Sequence, residues 1–212
     1  MEITCLKYAD SVFGEEYIFK GGLKGRLLPI TFCFYLIQTE SKNILVDVGC
    51  NECGGFVFEN FIPPVKLLEN CGLKCSDITD IIITHSHYDH IACIGEFSGA
   101  TVYIQKDEYS NGKKYIPETF KVVLFDEEYS LTDDIKVKKI GGHSVGSSIV
   151  LIKNYVICGD ECYVKKCLTD KISTGATCNL QKSLWFVNEY GKEEYIPLLF
   201  HDPENITKTY TL

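Results

Sequence analysis

The feature that most constrains this chain is seven residues long. Thr84-His85-Ser86-His87-Tyr88-Asp89-His90 follows directly on the apolar run Ile81-Ile82-Ile83. An unbroken β-branched run reads as a strand buried on both faces. Such a strand must leave the core through a loop, and this loop carries three histidines and an aspartate in six residues. In extended backbone His85 and His87 point the same way, because side chains two apart share a face. They can therefore grip one ion together. Asp89 is expected to cap a following short helix, with His90 turned toward a second ion. Imidazole and carboxylate suit zinc, iron, manganese or cobalt. The bland alternative, a polar surface loop rich in histidine, gives no reason for that apolar strand before it.

The remaining histidines stand in Gly142-His143-Ser144 and Phe200-His201-Asp202, so all five lie where an expected strand ends or just beyond it. Residues 28–48 read as two strands ending at a glycine-rich turn. Further strands are expected at Ala100–Gln105, Phe120–Phe125, Ile135–Ile140, Ser147–Ile152, Tyr155–Cys158 and Ile196–Phe200. Helices are expected at Pro63–Asn70, Lys106–Asn111 and Asn179–Glu189. Two halves of similar style imply two sheets with helices outside, in one domain spanning residues 1–212.

Charge narrows the partners. Net charge is −8, with the single arginine Arg26. That surface repels phosphate backbones and argues against nucleic acid. The start Met1-Glu2-Ile3-Thr4-Cys5 lacks a signal-peptide pattern, and no apolar run reaches membrane-span length, so a cytoplasmic protein is expected. Eleven cysteines in a reducing compartment are expected to be free thiols behaving as small apolar residues. Cys50 and Cys53 have redox-motif or zinc-ligand spacing, but no second pair completes a zinc ribbon.

His85-x-His87-x-Asp89-His90 resembles the signature of the metallo-β-lactamase superfamily. The likeness runs on through Asp47 in Val46-Asp47-Val48-Gly49, Gly142-His143-Ser144-Val145-Gly146-Ser147, Cys158-Gly159-Asp160 and Phe200-His201-Asp202. Phe200 stands where glycine is commoner. The resemblance implies an α/β (α+β) fold, the four-layer αββα sandwich. It also implies two divalent metal ions, zinc first with iron or manganese as alternatives. His85, His87 and His143 would hold one ion. Asp89, His90 and His201 would hold the other, Asp160 would bridge them, and Asp47 would stand behind the ligands. Taken alone, His143, Asp160 and His201 are each ambiguous; their order and the use of every histidine make the set.

Such a pair of ions shares a water and lowers its pKa toward neutrality, which implies a hydrolase needing no serine or cysteine nucleophile. Asp89 would then also orient that water. Tyr163, three places after Asp160, resembles the Asp-x-x-Tyr of the N-acyl homoserine lactonase-like branch, where the tyrosine aids the oxyanion; the alternative is a packed tyrosine starting a helix. Phe56, Phe58 and Phe61 could wall the site or merely pack locally. Within the superfamily, His87 replaces the glutamate of flavodiiron proteins. Zinc β-lactamases with a cysteine ligand would need one at position 160. The eleven residues after His201 leave no room for the helical domain of glyoxalase II, and processing ribonucleases need a basic surface or arm. The expected activity is hydrolysis of a small lactone or thioester. The alternatives are a small-substrate phosphodiesterase and a metal-binding protein without catalysis.

Overall fold

The computed structural model describes all 212 residues. Seven strands form the first sheet. In chain order they are β1 (Glu2–Gly14), β2 (Leu27–Gln38), β3 (Asn43–Val46), β4 (Asp80–Ile83), β5 (Thr101–Gln105), β6 (Lys121–Phe125) and, from the far end of the chain, the last strand, Lys208–Thr211. That last strand pairs with β1, and β1 to β6 then follow in sequence order. β1, β2 and β3 are antiparallel neighbours, whereas β3 to β6 run parallel. The second sheet holds β7 (Glu128–Ser130), β8 (Ile135–Lys139), β9 (Ser148–Ile152), β10 (Tyr155–Ile157) and β11 (Ile196–Leu198). The last strand is β12.

Period-two patterning explains how the sheets stack. Tyr35, Ile37, Ile44, Val46 and Ile82 face Ile135, Val137, Val150 and Ile152 in one apolar cluster between the sheets. Their neighbours Leu36, Leu45, Ile81 and Ile83 belong to a different cluster with Leu67, Leu68 and Ile91. Those three lie on helices following β3 and β4. On the second sheet, Ile149 and Val156 pack in the same manner with Phe186, Val187 and Tyr190. The result is helix, sheet, sheet, helix, the four-layer sandwich. Six α-helices are present: α1 (Glu15–Ile18), α2 (Pro64–Asn70), α3 (Tyr88–Ile91), α4 (Lys106–Gly112), α5 (Lys165–Thr169) and α6 (Leu180–Tyr190). None is long and apolar enough to cross a membrane.

The expected strands and helices at residues 28–48 and 63–200 are present to within a few residues. The thirteen-residue β1 was not foreseen. Its burial runs almost continuously, with a register shift between Lys7 and Ala9, so it shows no clean alternation. Asp89 does not cap α3: His87 occupies the N-cap position, and Asp89 is the second helical residue. Seven cysteines are buried as small apolar residues, but Cys71 and Cys178 are exposed.

Candidate metal centre

Five chain segments converge at one edge of the sandwich. Asp47 follows β3, Thr84 to His90 follow β4, Gly141 to Ser147 join β8 to β9, Asp160 follows β10, and His201 follows β11. Backbone bonds lock these loops together. Asp47 N donates to Ile82 O at 2.8 Å, Ser148 N to Thr84 O at 2.9 Å, and Thr31 N to His201 O at 3.3 Å. The first sheet thus supplies four of the seven clustered side chains and the second sheet three.

The side chains form two groups. His85, His87, His143 and Asp160 bring one donor atom each to a common point; Asp89, His90 and His201 do so beside it. In the first group His85 Nε2 and His143 Nε2 lie 3.0 and 2.9 Å from His87 Nδ1. Asp160 divides its oxygens between the groups. Oδ2 is 3.6 Å from His85 Nε2 and 3.5 Å from His143 Nε2. Oδ1 is 3.2 Å from both His90 Nε2 and His201 Nε2. Asp89 Oδ2 completes the second group, 3.5 Å from His90 Nε2 and 3.6 Å from His201 Nε2.

The outward-facing ring nitrogens fix which nitrogens are free. His143 Nδ1 donates to Ala176 O at 2.6 Å and His201 Nδ1 to Thr31 O at 2.8 Å. His90 Nδ1 donates to Asp47 Oδ2 at 2.7 Å. His85 Nδ1 meets the Thr84 hydroxyl at 3.1 Å, and that hydroxyl gives its proton to the same Asp47 Oδ2 at 2.7 Å. Each of these four Nδ1 protons is therefore committed outward, leaving an Nε2 lone pair aimed inward, whereas His87 turns its Nδ1 toward the first group. Asp47 holds this place with φ +60°, which for an aspartate costs about 1–3 kcal/mol. Its bonds to Thr84 N, Thr84 Oγ1 and His90 Nδ1 over-determine that conformation.

Two inward atoms, His90 Nε2 and Asp160 Oδ1, are buried with no hydrogen-bond partner. Orphaned polar atoms of that kind are expensive, and a cation between them would satisfy both. Burial opposes charge on Asp160, yet the facing His90, His201 and His85 hold its carboxyl well below the usual range. Burial likewise opposes a proton on His90, but Asp160, Asp89 and Asp47 draw its pKa well above the ordinary value. The pocket is built for positive charge. A set of five imidazoles and two carboxylates, with one carboxylate shared, fits a dinuclear metal site. Cys50 and Cys53 join neither group.

Tyr163 is almost fully buried and packs 5.9 Å from the His143 ring and 5.1 Å from the His201 ring. With Phe32, Phe56, Asp89 and Asp160 it lines a cavity of about 230 Å³ over the cluster. It precedes α5 and does not start it. Phe56 thus walls the site, while Phe58 and Phe61 line an adjoining cavity of about 630 Å³ that also includes Phe56 and Tyr88. A cavity of about 560 Å³ around Arg26 and Lys165 contains none of the seven clustered residues. Phe200 fills the space between the sheets, 5.1 Å from the rings of both Tyr35 and His90. Sequence reasoning missed Thr84, Glu108 and Glu161, all buried polar residues bonded to the histidine loops. Only their nearness to motif residues could have marked Thr84 and Glu161; a glutamate at position 108 in a short polar helix carries no such signal.

A four-layer sandwich with this cluster at its edge defines a metal-dependent hydrolase. The family model of the metallo-beta-lactamase superfamily matches residues 34–169, and the chain belongs to that superfamily. Among curated relatives, an N-acyl homoserine lactonase of Bacillus cereus is 27% identical over 176 residues, covering 70% of each chain. A probable metallo-hydrolase of Methanocaldococcus jannaschii is 34% identical over 117 residues, covering 55% of this chain and 50% of the relative. Among solved structures, a quorum-quenching N-acyl homoserine lactone hydrolase superposes with a TM-score of 0.84 at 22% identity, over 96% and 93% of the two chains. A dizinc quorum-quenching lactonase superposes with a TM-score of 0.74 at 17% identity, over 95% and 87%. At those identities the structural likeness is one of fold. Together with the family model, the N-acyl homoserine lactonases among the curated relatives match the lactonase-like branch of the superfamily.

Proposed function

We propose that this chain is a single-domain, cytoplasmic, dinuclear hydrolase that opens a lactone or cleaves a thioester of a small molecule. The observation that carries the dinuclear reading is Asp160, whose two oxygens each face a different group of donors. His85, His87 and His143 hold the first ion, Asp89, His90 and His201 the second, and zinc is the metal that suits this mixture of imidazole and carboxylate. When bound, the two ions supply a water of lowered pKa and polarise the scissile carbonyl.

The chain's own residues do the rest. Asp89 sits at the cavity wall with an oxygen directed toward His90 and His201, where it orients the attacking water and takes up its proton. Tyr163 reaches the same cavity and donates a hydrogen bond from its hydroxyl to the developing oxyanion, keeping its proton, while the proton held by Asp89 passes to the leaving oxygen or sulfur. Burial, with Asp160 and Asp89 nearby, keeps that phenol protonated and so a donor. Phe13, Phe32 and Phe56 exclude water and leave room for a small, weakly charged substrate. A phosphodiester would bring charge to a chain already at −8. The similarity to a lactonase over 70% of each chain supports the ester class.

The direct test is parallel turnover of a panel of lactones, acyl thioesters and bis(p-nitrophenyl) phosphate by the zinc-loaded protein. Hydrolysis of a lactone or thioester supports the reading. Turnover of the phosphodiester alone would replace it with a small-substrate phosphodiesterase.

A further inference from the structure

A buried carboxylate outside the two donor groups ties the metal loops to each other. Glu108 lies on α4, whose start is capped by the Gln105 side chain, and it is 3% exposed. Each of its oxygens takes two donors. Oε2 accepts from Ser86 N at 2.9 Å and from Ser86 Oγ at 2.7 Å. Oε1 accepts from Ser144 Oγ at 2.7 Å and from Gly146 N at 2.9 Å. Ser86 stands between His85 and His87, and Ser144 follows His143. One carboxylate thus fastens both loops that carry the first group's imidazoles. Its hydrogen bonds touch neither Asp89 nor His90 nor His201. A Cβ at Gly146 would meet the Gln105 side chain first and then Glu108 Cγ at 2.9 Å, so the turn has no room for one while both side chains hold their places.

The donor count decides which side chain can serve. Two of the four donors are backbone N–H groups, which cannot accept in return, and they sit on opposite oxygens. A glutamine in either orientation would turn its NH₂ toward one of them. Only an ionised carboxylate satisfies all four. Burial pushes this carboxyl's pKa up, but the bonds from Ser144, Ser86 and Gly146 outweigh burial and hold it below the ordinary range. The His143 loop is also gripped from its other side, where Glu161 accepts from Gly142 N at 3.0 Å and His143 N at 3.2 Å.

We propose that Glu108 is a positioning residue that sets the affinity of the His85, His87 and His143 half of the centre for its metal ion, leaving the His90 and His201 half unaffected. This rests on the two-metal reading above. It acts by fixing the spacing of loops from different sheets, so that three imidazole nitrogens meet before an ion arrives.

The test titrates metal-free protein with zinc, read by calorimetry and by imidazole ¹H–¹⁵N spectra that resolve the five histidines. In Glu108→Gln, binding at His85, His87 and His143 is expected to weaken about 10- to 100-fold, the usual scale for outer partners of metal ligands. Binding at His90 and His201 should stay within about threefold, because Glu108 bonds to neither Asp47 nor Thr31, the partners that orient those two rings. Unchanged binding in both halves, or equal loss from both, overturns the proposal. Ser86→Ala and Ser144→Ala keep the charge and remove one donor each; both should weaken the same half by about 3- to 10-fold. They carry the test if Glu108→Gln does not fold, and normal first-half binding in both would overturn it. A wild-type protein that takes up no zinc would instead overturn the two-metal reading itself.

Discussion

Asp47 Oδ2 accepts the His90 Nδ1 proton at 2.7 Å, and the same oxygen accepts the Thr84 hydroxyl that in turn supports His85. One buried oxygen therefore orients an imidazole in each half of the centre. Asp47→Asn keeps the size but loses one acceptor atom. Zinc binding in both halves should weaken about 10- to 100-fold. Calorimetric titration checks this, and loss confined to one half would show that the relay through Thr84 does not matter.

Asp160 is the only carboxylate facing both groups. Asp160→Ala should retain at most one equivalent of metal and lose most turnover, while the wild type holds up to two. Elemental analysis with circular dichroism reads both outcomes. Two metals and full activity in the variant would contradict the bridging role.

Tyr163 lines the cavity over the cluster. Tyr163→Phe removes the hydroxyl and leaves the ring packed against His143 and His201. If the hydroxyl serves the oxyanion, kcat should fall by about 10- to 1000-fold, at or below the range for an oxyanion donor. KM should change less. An unchanged kcat on the best ester substrate would reduce Tyr163 to packing.

Metal removal should be visible in stability. An ion present at about a thousand times its dissociation constant adds about 4 kcal/mol. At about 2–4 °C per kcal/mol for a chain of this size, chelation should lower Tm by about 8–16 °C for each site emptied. Thermal scans before and after chelation, with recovery on adding zinc, measure it. No shift would mean the cluster is not loaded in the folded protein.

Thiol titration tests the reading of the cysteines. Denatured under anaerobic conditions, the protein should expose close to eleven reactive thiols, as the eleven free cysteines require. A count lower by an even number would reveal disulfides.

The histidine motifs were legible because metal chemistry restricts residue type so strongly that order and spacing alone carry it. The interior strands were legible through their apolar runs. β1 was not: it is covered on both faces over much of its length and carries polar residues such as Asp10 and Ser11 among the apolar ones, so no period stands out. Asp89 was assigned a cap because aspartate favours that position, but the N-cap is His87, two residues earlier, and the Asp89 carboxylate faces His90 and His201 instead. Glu108 was invisible because its partners, Ser86 and Ser144, come from loops that meet only in three dimensions.

The division of the donors between two sheets bears on how the protein comes apart. His85, His87, Asp89 and His90 leave the first sheet, whereas His143, Asp160 and His201 are carried by loops of the second. Each ion would draw ligands from both, and so would rivet the seam where the sheets face each other. Parting that seam would require coordinate bonds to break before the apolar interior could open. The loaded protein should then owe its persistence to slow unfolding as much as to favourable equilibrium, and stripping the ions should speed unfolding far more than it slows refolding.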